Sequence, residues 1–249
     1  MFDITKITRE NIKSLQSYKV WRDNYLDNGD AIFLDNCENN LGSPIGLGYE
    51  RYPSSSQLKI KEAIAKYKHV EATQVAIGNG SDELIDLLIR CFCEPKQDNI
   101  IVCEPTFGMF NVYAQLNNIE LLNAPLTKHT FQFDEDEILK TINSNSKLIF
   151  ICSPNNPTGT SMDLHVIKRI ATQFNGILVI DEAYIDFSEK ESALSLINQF
   201  PNLLILQTFS KAWGLAALRV GAAYSPCELL LILKGGRTLF NMLIILEWL

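Results

Sequence analysis

Lys147-Leu148-Ile149-Phe150-Ile151-Cys152 opens the stretch that decides the fold. It breaks at Ser153-Pro154-Asn155-Asn156-Pro157-Thr158-Gly159, continues as a helical segment over 162–174, and closes with Ile177-Leu178-Val179-Ile180 before Asp181-Glu182-Ala183-Tyr184. Two short apolar runs bounded by turn residues read as strands buried on both faces, with a helix between them. Working outward, the same alternation recurs. Upstream come a strand at 75–77, a helix at 84–93, a strand at 100–103, a helix at 107–117 and a short strand at 120–122. Asp134, with Glu137 three residues on, forms a capping-box pattern that opens a helix running to Ile142. Downstream, Leu203-Leu204-Ile205-Leu206 follows Pro201-Asn202 as another buried strand. The expectation is an α/β fold: a mostly parallel sheet sandwiched by helices.

Toward the N-terminus the pattern weakens. Residues 55–68 carry helical spacing, 36–53 read as a loop, and Ala31-Ile32-Phe33-Leu34-Asp35 reads as a short strand. Residues 1–30 are mixed and suit an arm or short helix, with Tyr18, Trp21 and Tyr25 as anchors. Apolar residues make up 47% and charged residues 20% of the 249, which is the composition of an ordinary folded chain rather than a disordered one. A net charge of −7 speaks against nucleic acid as a partner. The three histidines are scattered, so no His-based metal site is expected, and six cysteines without a C-x-x-C pair read as reduced and mostly buried. The opening residues have no apolar signal core, which makes the cytoplasm the expected location.

Open α/β sheets bind ligands at the carboxyl ends of their strands, and the polar residues of this chain lie there. Thr208, Ser210, Lys211 and Arg219 follow the strand at 203–206. Two hydroxyls and a fixed cation suit a phosphate dianion, and a lysine beside a second cation is shifted toward a nucleophilic amine. An amine able to form a Schiff base, next to a phosphate anchor, is what pyridoxal 5′-phosphate (PLP) needs. Gly80, Ser81 and Asp82 sit at a strand-to-helix junction, where backbone N–H groups make an anion site or, more plainly, an N-cap. No Walker lysine and no G-x-G-x-x-G spacing accompany them, which disfavours a nucleotide. Asp181, at the end of a doubly buried strand, needs a partner such as a protonated pyridine nitrogen, or else caps a loop. Tyr184 and Asn156 can reach a ring oxygen. Phe107 can cover a flat ring or belong to the core.

These residues carry a resemblance. Ser-Pro-Asn-Asn-Pro-Thr-Gly at 153–159, Asp-Glu-Ala-Tyr at 181–184 and Ser-Lys-Ala-x-Gly-Leu-Ala-x-Leu-Arg at 210–219 resemble, in order and spacing, the fold-type I PLP-dependent aminotransferases. Arg-Tyr-Pro at 51–53, Gly-Ser-Asp-Glu at 80–83, Phe-Cys-Glu-Pro at 92–95 and Pro-Thr-Phe-Gly-Met-Phe at 105–110 are similar to its histidinol-phosphate aminotransferase branch. The resemblance implies transamination between histidinol phosphate and 2-oxoglutarate, yielding imidazole-acetol phosphate and glutamate, in histidine biosynthesis. It assigns Lys211 the Schiff base and the proton shuttle, Asp181 the pyridine nitrogen, and Asn156 and Tyr184 the phenolic oxygen. Phe107 would stack on the ring. Gly80, Ser81, Asp82, Thr208, Ser210 and Arg219 would hold the phosphate. Asn156 would also contact substrate, as would Tyr52, reaching into the neighbour's site across a homodimer.

Three departures stand against the family pattern. Cys37-Glu38-Asn39-Asn40 replaces the usual Asn-Glu-Asn-Pro, phenylalanines stand at 107 and 110 where tyrosines are usual, and the resemblance fades after about residue 225. The division expected is an arm at 1–30, a PLP-binding large domain at 31–225 and a truncated or aberrant tail at 226–249, with the small C-terminal domain and its substrate-carboxylate arginine largely missing. The tail is apolar, but Lys234, Arg237 and Glu247 interrupt it, so a membrane anchor is not expected. A PLP-dependent phosphothreonine decarboxylase shares many of these motifs. An inactive PLP-binding remnant and an α/β binding protein without PLP are the remaining alternatives.

Overall fold

A computed structural model describes residues 2–16, 32–34, 36–46 and 49–236. Its centre is a seven-stranded sheet: β1 (Val75–Asn79), β2 (Asn99–Val102), β3 (Glu120–Asn123), β4 (Ser146–Cys152), β5 (Ile177–Asp181), β6 (Leu203–Thr208) and β7 (Val220–Tyr224), in the spatial order β1-β7-β6-β5-β4-β2-β3. Every pair from β6 across to β3 is parallel, while β7 runs antiparallel to both β6 and β1. The expected mostly parallel sheet is therefore present, with one reversed strand that the motif reading had not separated from the loop before it.

Side-chain alternation along the central strands builds two cores. Ile149, Ile151, Leu178, Ile180, Leu203 and Ile205 pack on one face with residues of α3 (Leu58–Lys68), α6 (Glu135–Thr141) and α7 (Leu164–Gln173). Leu148, Phe150, Ile177, Val179, Leu204 and Leu206 pack on the other with α4 (Gly80–Phe92), α5 (Met109–Leu116) and α8 (Cys227–Gly236). Burial on both faces is why these strands read as unbroken apolar runs rather than as alternating ones. Two short N-terminal helices, α1 (Ile4–Ile7) and α2 (Glu10–Lys13), lie at this second face, with Ile4 buried in its core.

Several expectations shift. The strand expected at 31–35 is not formed by Ile32, Phe33 or Leu34; Ile32 and Leu34 are exposed, and no ladder partner is offered to them among the described residues. Residues 31 and 35 lie outside the described residues, as do Tyr18, Trp21, Tyr25 and 237–249. Helix α3 starts three residues later than its spacing suggested because Gln57 stands at φ +50°, which cannot continue a helix. Helix α4 starts four residues earlier, at Gly80. Asp134 caps α6 by accepting from the Glu137 N–H at 3.1 Å, while the Glu137 carboxylate turns to Lys140 at 3.2 Å instead of closing the reciprocal bond. The free cysteines 91, 93, 103 and 152 are buried, and burial pushes the thiols of Cys91 and Cys103 up to about 12.

Chain order and sheet order part company at β2. The chain places β3 on one side of β2 and returns to place β4 on the other. Helix α5, after β2, lies on one face, and α7, after β4, on the opposite face. Connections that diverge in this way leave a crevice at the strand ends. At the far side of the sheet, β7 passes directly under the start of α4. A Cβ on Gly221 would stand 2.3 Å from both the Gly80 carbonyl carbon and the Ser81 nitrogen. Both contacts are backbone, so the strain cannot be relieved by a rotamer change. Gly221→Ala is expected to lower the urea-unfolding free energy by about 3 kcal/mol or more, with a lower midpoint and an unchanged m-value.

Candidate active site

Strand register sets out the floor of the crevice. Cys152 and Asp181 are paired across β4 and β5, and Asp181 faces Leu206 across β5 and β6, two residues before Thr208. Counting by twos along each strand, Cys152, Asp181 and Thr208 point to the same face as Phe150, Val179 and Leu206, the face on which α4 starts. Together with Ser81, Asp82, Phe107, Asn156, Ala183, Tyr184, Ser210, Lys211, Ala216 and Arg219 they line one cleft of about 220 Å³. Of the residues expected in a site, only Gly80 and Tyr52 are not in that lining. Gly80 opens α4 immediately behind it. Tyr52 is 47% exposed on a loop, its N–H bound to the Glu38 carboxylate at 2.7 Å.

Each wall has a physical cause. Lys211 leaves β6 on a loop tied back by Gly214 N–H to Lys211 O (3.0 Å) and Leu215 N–H to Phe209 O (3.0 Å). Trp213 moors this loop, its ring 5.0 Å from Tyr67 of α3 and 5.5 Å from Phe209. The Lys211 Nζ stands 5.7 Å from the centre of the Tyr184 ring, and the Asn156 amide donates to the Tyr184 hydroxyl at 3.4 Å. Phe107 packs edge-on against Phe110 at 5.6 Å, which in turn stacks on Phe150 of β4 at 5.0 Å. Aromatic packing thus fixes the cleft wall without the two hydroxyls that tyrosines would bring.

The end of the cleft at α4 is an anion seat. Gly80, at φ +75°, donates its N–H to Arg219 O at 2.8 Å, and the Arg219 guanidinium lies over its bare α-carbon. A Cβ there would meet Arg219 Nη2 at 2.6 Å. Arg219 also pairs with Asp82 at 3.3 Å, a half-exposed contact that orients the guanidinium. The N–H groups of Ser81 and Asp82, in the first turn of a 13-residue helix, have no acceptor within that helix. Ser210 Oγ is buried with no hydrogen-bond partner among the described residues, and its N–H is held by Thr208 Oγ1 at 3.2 Å. An orphaned buried hydroxyl, open amides and a fixed guanidinium suit a phosphate dianion.

At the other end, Asp181 is 2% exposed. Loss of water pushes its carboxyl up to about 7 from 3.8, against the Ala183 N–H that bonds Oδ1 at 3.1 Å and the Lys211 charge, both of which favour the ionised form. A cation delivered into the cleft, such as a protonated ring nitrogen, would restore that form. Its neighbour Glu182 points to the opposite face. There it accepts from Ser192 Oγ (2.6 Å), the Ala193 N–H (2.7 Å) and Gln207 Nε2 (3.0 Å), and burial likewise raises its pKa. The residues present therefore fit PLP: an amine, a buried carboxylate for the ring nitrogen, an amide and a phenol side by side, and an anion seat. Sequence reasoning did not find Cys152, Ala183 or Ala216; the parity of β4 could have signalled Cys152.

Both the sequence and the fold have relatives among known proteins. Residues 31–246 match the family of class I and II aminotransferases. The match continues past residue 225, where the motif reading ended, and takes in α8, which buries Leu229, Leu230 and Leu233. A histidinol-phosphate aminotransferase of Cytophaga hutchinsonii is 45% identical over 97% of the chain and 69% of its own length. Among solved structures, a histidinol-phosphate aminotransferase of Sinorhizobium meliloti in complex with pyridoxal-5′-phosphate superposes with a TM-score of 0.66 at 21% identity, covering 80% of this chain and 61% of that one. An L-threonine-O-3-phosphate decarboxylase of Porphyromonas gingivalis shares the fold with a TM-score of 0.64 at 19% identity, over 78% of this chain and 59% of that one. No helix among the described residues is long and apolar enough to cross a membrane.

The raised Asp181 carboxyl has a pH signature. The folded chain holds this proton more tightly than the unfolded chain. Its contribution to stability is therefore complete below pH 3.8 and is lost as pH rises through about 7. At about 1.4 kcal/mol per unit, the loss is on the order of 4 kcal/mol. Thermal melts of the cofactor-free chain are expected to show Asp181→Asn gaining on the wild type between pH 4 and 7, with the gap closing when PLP is added to the wild type.

Proposed function

Because the chain belongs to the class I and II aminotransferases, PLP-dependent enzymes, and within them to the histidinol-phosphate aminotransferases, we propose that its cleft carries out amino transfer between histidinol phosphate and 2-oxoglutarate in histidine biosynthesis. The observation that supports this most is the meeting of Lys211, Asp181, Tyr184, Asn156 and Arg219 in one cleft, from loops far apart in sequence. When bound, PLP supplies an aldehyde that exchanges with the donor's amino group and a ring that takes up the electron pair released at Cα.

The chain's own residues do the rest. Lys211 would hold the cofactor through Nζ, and the same amine would carry the proton between Cα and C4′. Asp181 would pair with the ring nitrogen and keep it protonated, which would make the ring an electron acceptor; burial of Asp181 excludes the water that would weaken this pairing. Asn156 and Tyr184, already in contact, bind the phenolic oxygen. Phe107 covers one ring face. Ser81, Asp82, Thr208, Ser210 and Arg219 seat the phosphate, with Gly80 giving the guanidinium room. Tyr52 meets substrate from the neighbouring subunit of a homodimer, and Asn156 meets it from this one. Residues 31–225 form the PLP-binding unit, and the enzyme works in the cytoplasm.

Incubation with PLP, histidinol phosphate and 2-oxoglutarate is expected to yield glutamate and imidazole-acetol phosphate. Borohydride should trap the cofactor on the wild type and not on Lys211→Ala, whose turnover should fall at least about 10³-fold. Release of CO2 without glutamate would identify a decarboxylase instead. Cofactor uptake with no spectral change on adding glutamate or histidinol phosphate would identify an inactive binder.

A further inference from the structure

At the β2/β4 switch point the two loops are tied to each other by one amide. Loops leaving β2 and β4 head toward helices on opposite faces, yet each carries a cleft residue: Phe107 on the first, Asn156 on the second. Between them sits Asn155, 3% exposed. Its Oδ1 accepts from Thr106 Oγ1 at 2.8 Å, and its Nδ2 donates to Pro105 O and Thr158 Oγ1, each at 2.9 Å. Its backbone N–H donates to Thr160 O at 2.8 Å, and its carbonyl accepts from the Gly159 N–H at 2.7 Å. Every polar group of Asn155 is thus engaged. Two of the three side-chain bonds cross to the other loop, about 50 positions away in the chain.

Thr106 directly precedes Phe107, and Asn155 directly precedes Asn156. We propose that Asn155 is the positioning residue that sets the ring-covering Phe107 and the oxygen-binding Asn156 at a fixed separation, so that the pocket is matched to a cofactor of one ring thickness and orientation. Asn155 reaches no reacting atom itself. Asn156 cannot substitute for it, because its amide is committed to Tyr184 on the cleft side. The inference rests on the PLP reading of the cleft.

Direct titration of the full chain with PLP, read by absorbance and by urea unfolding of the cofactor-free form, tests it. Asn155→Ala is expected to weaken PLP binding about tenfold, the effect of losing a net hydrogen bond, and to shift the absorbance band of the bound cofactor. Thr106→Val, which removes one crossing bond at nearly constant shape, should weaken binding severalfold with the same direction of band shift. Thr106→Ser, which keeps the hydroxyl, should restore both affinity and band. Wild-type affinity and band in Thr106→Val and Asn155→Ala would overturn the proposal. So would a lowered urea midpoint with an unshifted band, since that is a structural role alone, and so would a Thr106→Ser variant as impaired as Thr106→Val. A wild-type chain that takes up no PLP would overturn the reading beneath it instead.

Discussion

A carboxylate shut away from water at the end of a doubly buried strand is the constraint from which the site follows. Asp181 ends β5 on the same strand parity as Ile177 and Val179, facing α4, and no group among the described residues fully satisfies its charge. Lys211 helps from one side and the Ala183 N–H from another, yet desolvation still outweighs both. A buried carboxyl that keeps its proton up to about pH 7 can give it up when a cation is brought beside it. Glu182, one residue on and equally buried, is satisfied by three donors on the opposite face. The contrast between these adjacent acids separates a ligand-binding group from a structural one.

Around that carboxylate the fold works as a set of tethers. Trp213 wedges the Lys211 loop against α3, so the amine emerges from a braced turn rather than a free loop. Gly80 and Gly221 let α4 start close over β7, where the guanidinium of Arg219 and the open amides of the first helical turn converge. The Phe107–Phe110–Phe150 series anchors the far wall to β4. Each device joins a cleft residue to a distant element, which is how loops acquire the accuracy of the sheet.

Much of this was legible in the amino-acid sequence, for a physical reason. Strands covered on both faces must be apolar along their length, so the first polar residue after each run marks a strand end, and strand ends are where ligands bind. Asp181 announces itself in that way, and Thr208 follows one residue after Gln207, the first polar residue of its run. What could not be read depends on partners remote in sequence. The reversal of β7 is set by pairing with β1, roughly 145 residues away, and Ile32 to Leu34 look like a strand in the sequence although these described residues form none. Asn155 looks like any turn asparagine until Thr106 and Pro105 are placed beside it.

The anion seat is drawn from two pieces of chain, 80–82 and 208–219, that meet only where β1 zips onto β7. Before that edge closes, neither piece alone offers a complete cradle. A phosphate dianion seated there would therefore discriminate between a finished sheet and a partly assembled one, and mass action would draw chains toward the finished state as its concentration rises. Such a ligand would then be part of the finished architecture as well as of the chemistry.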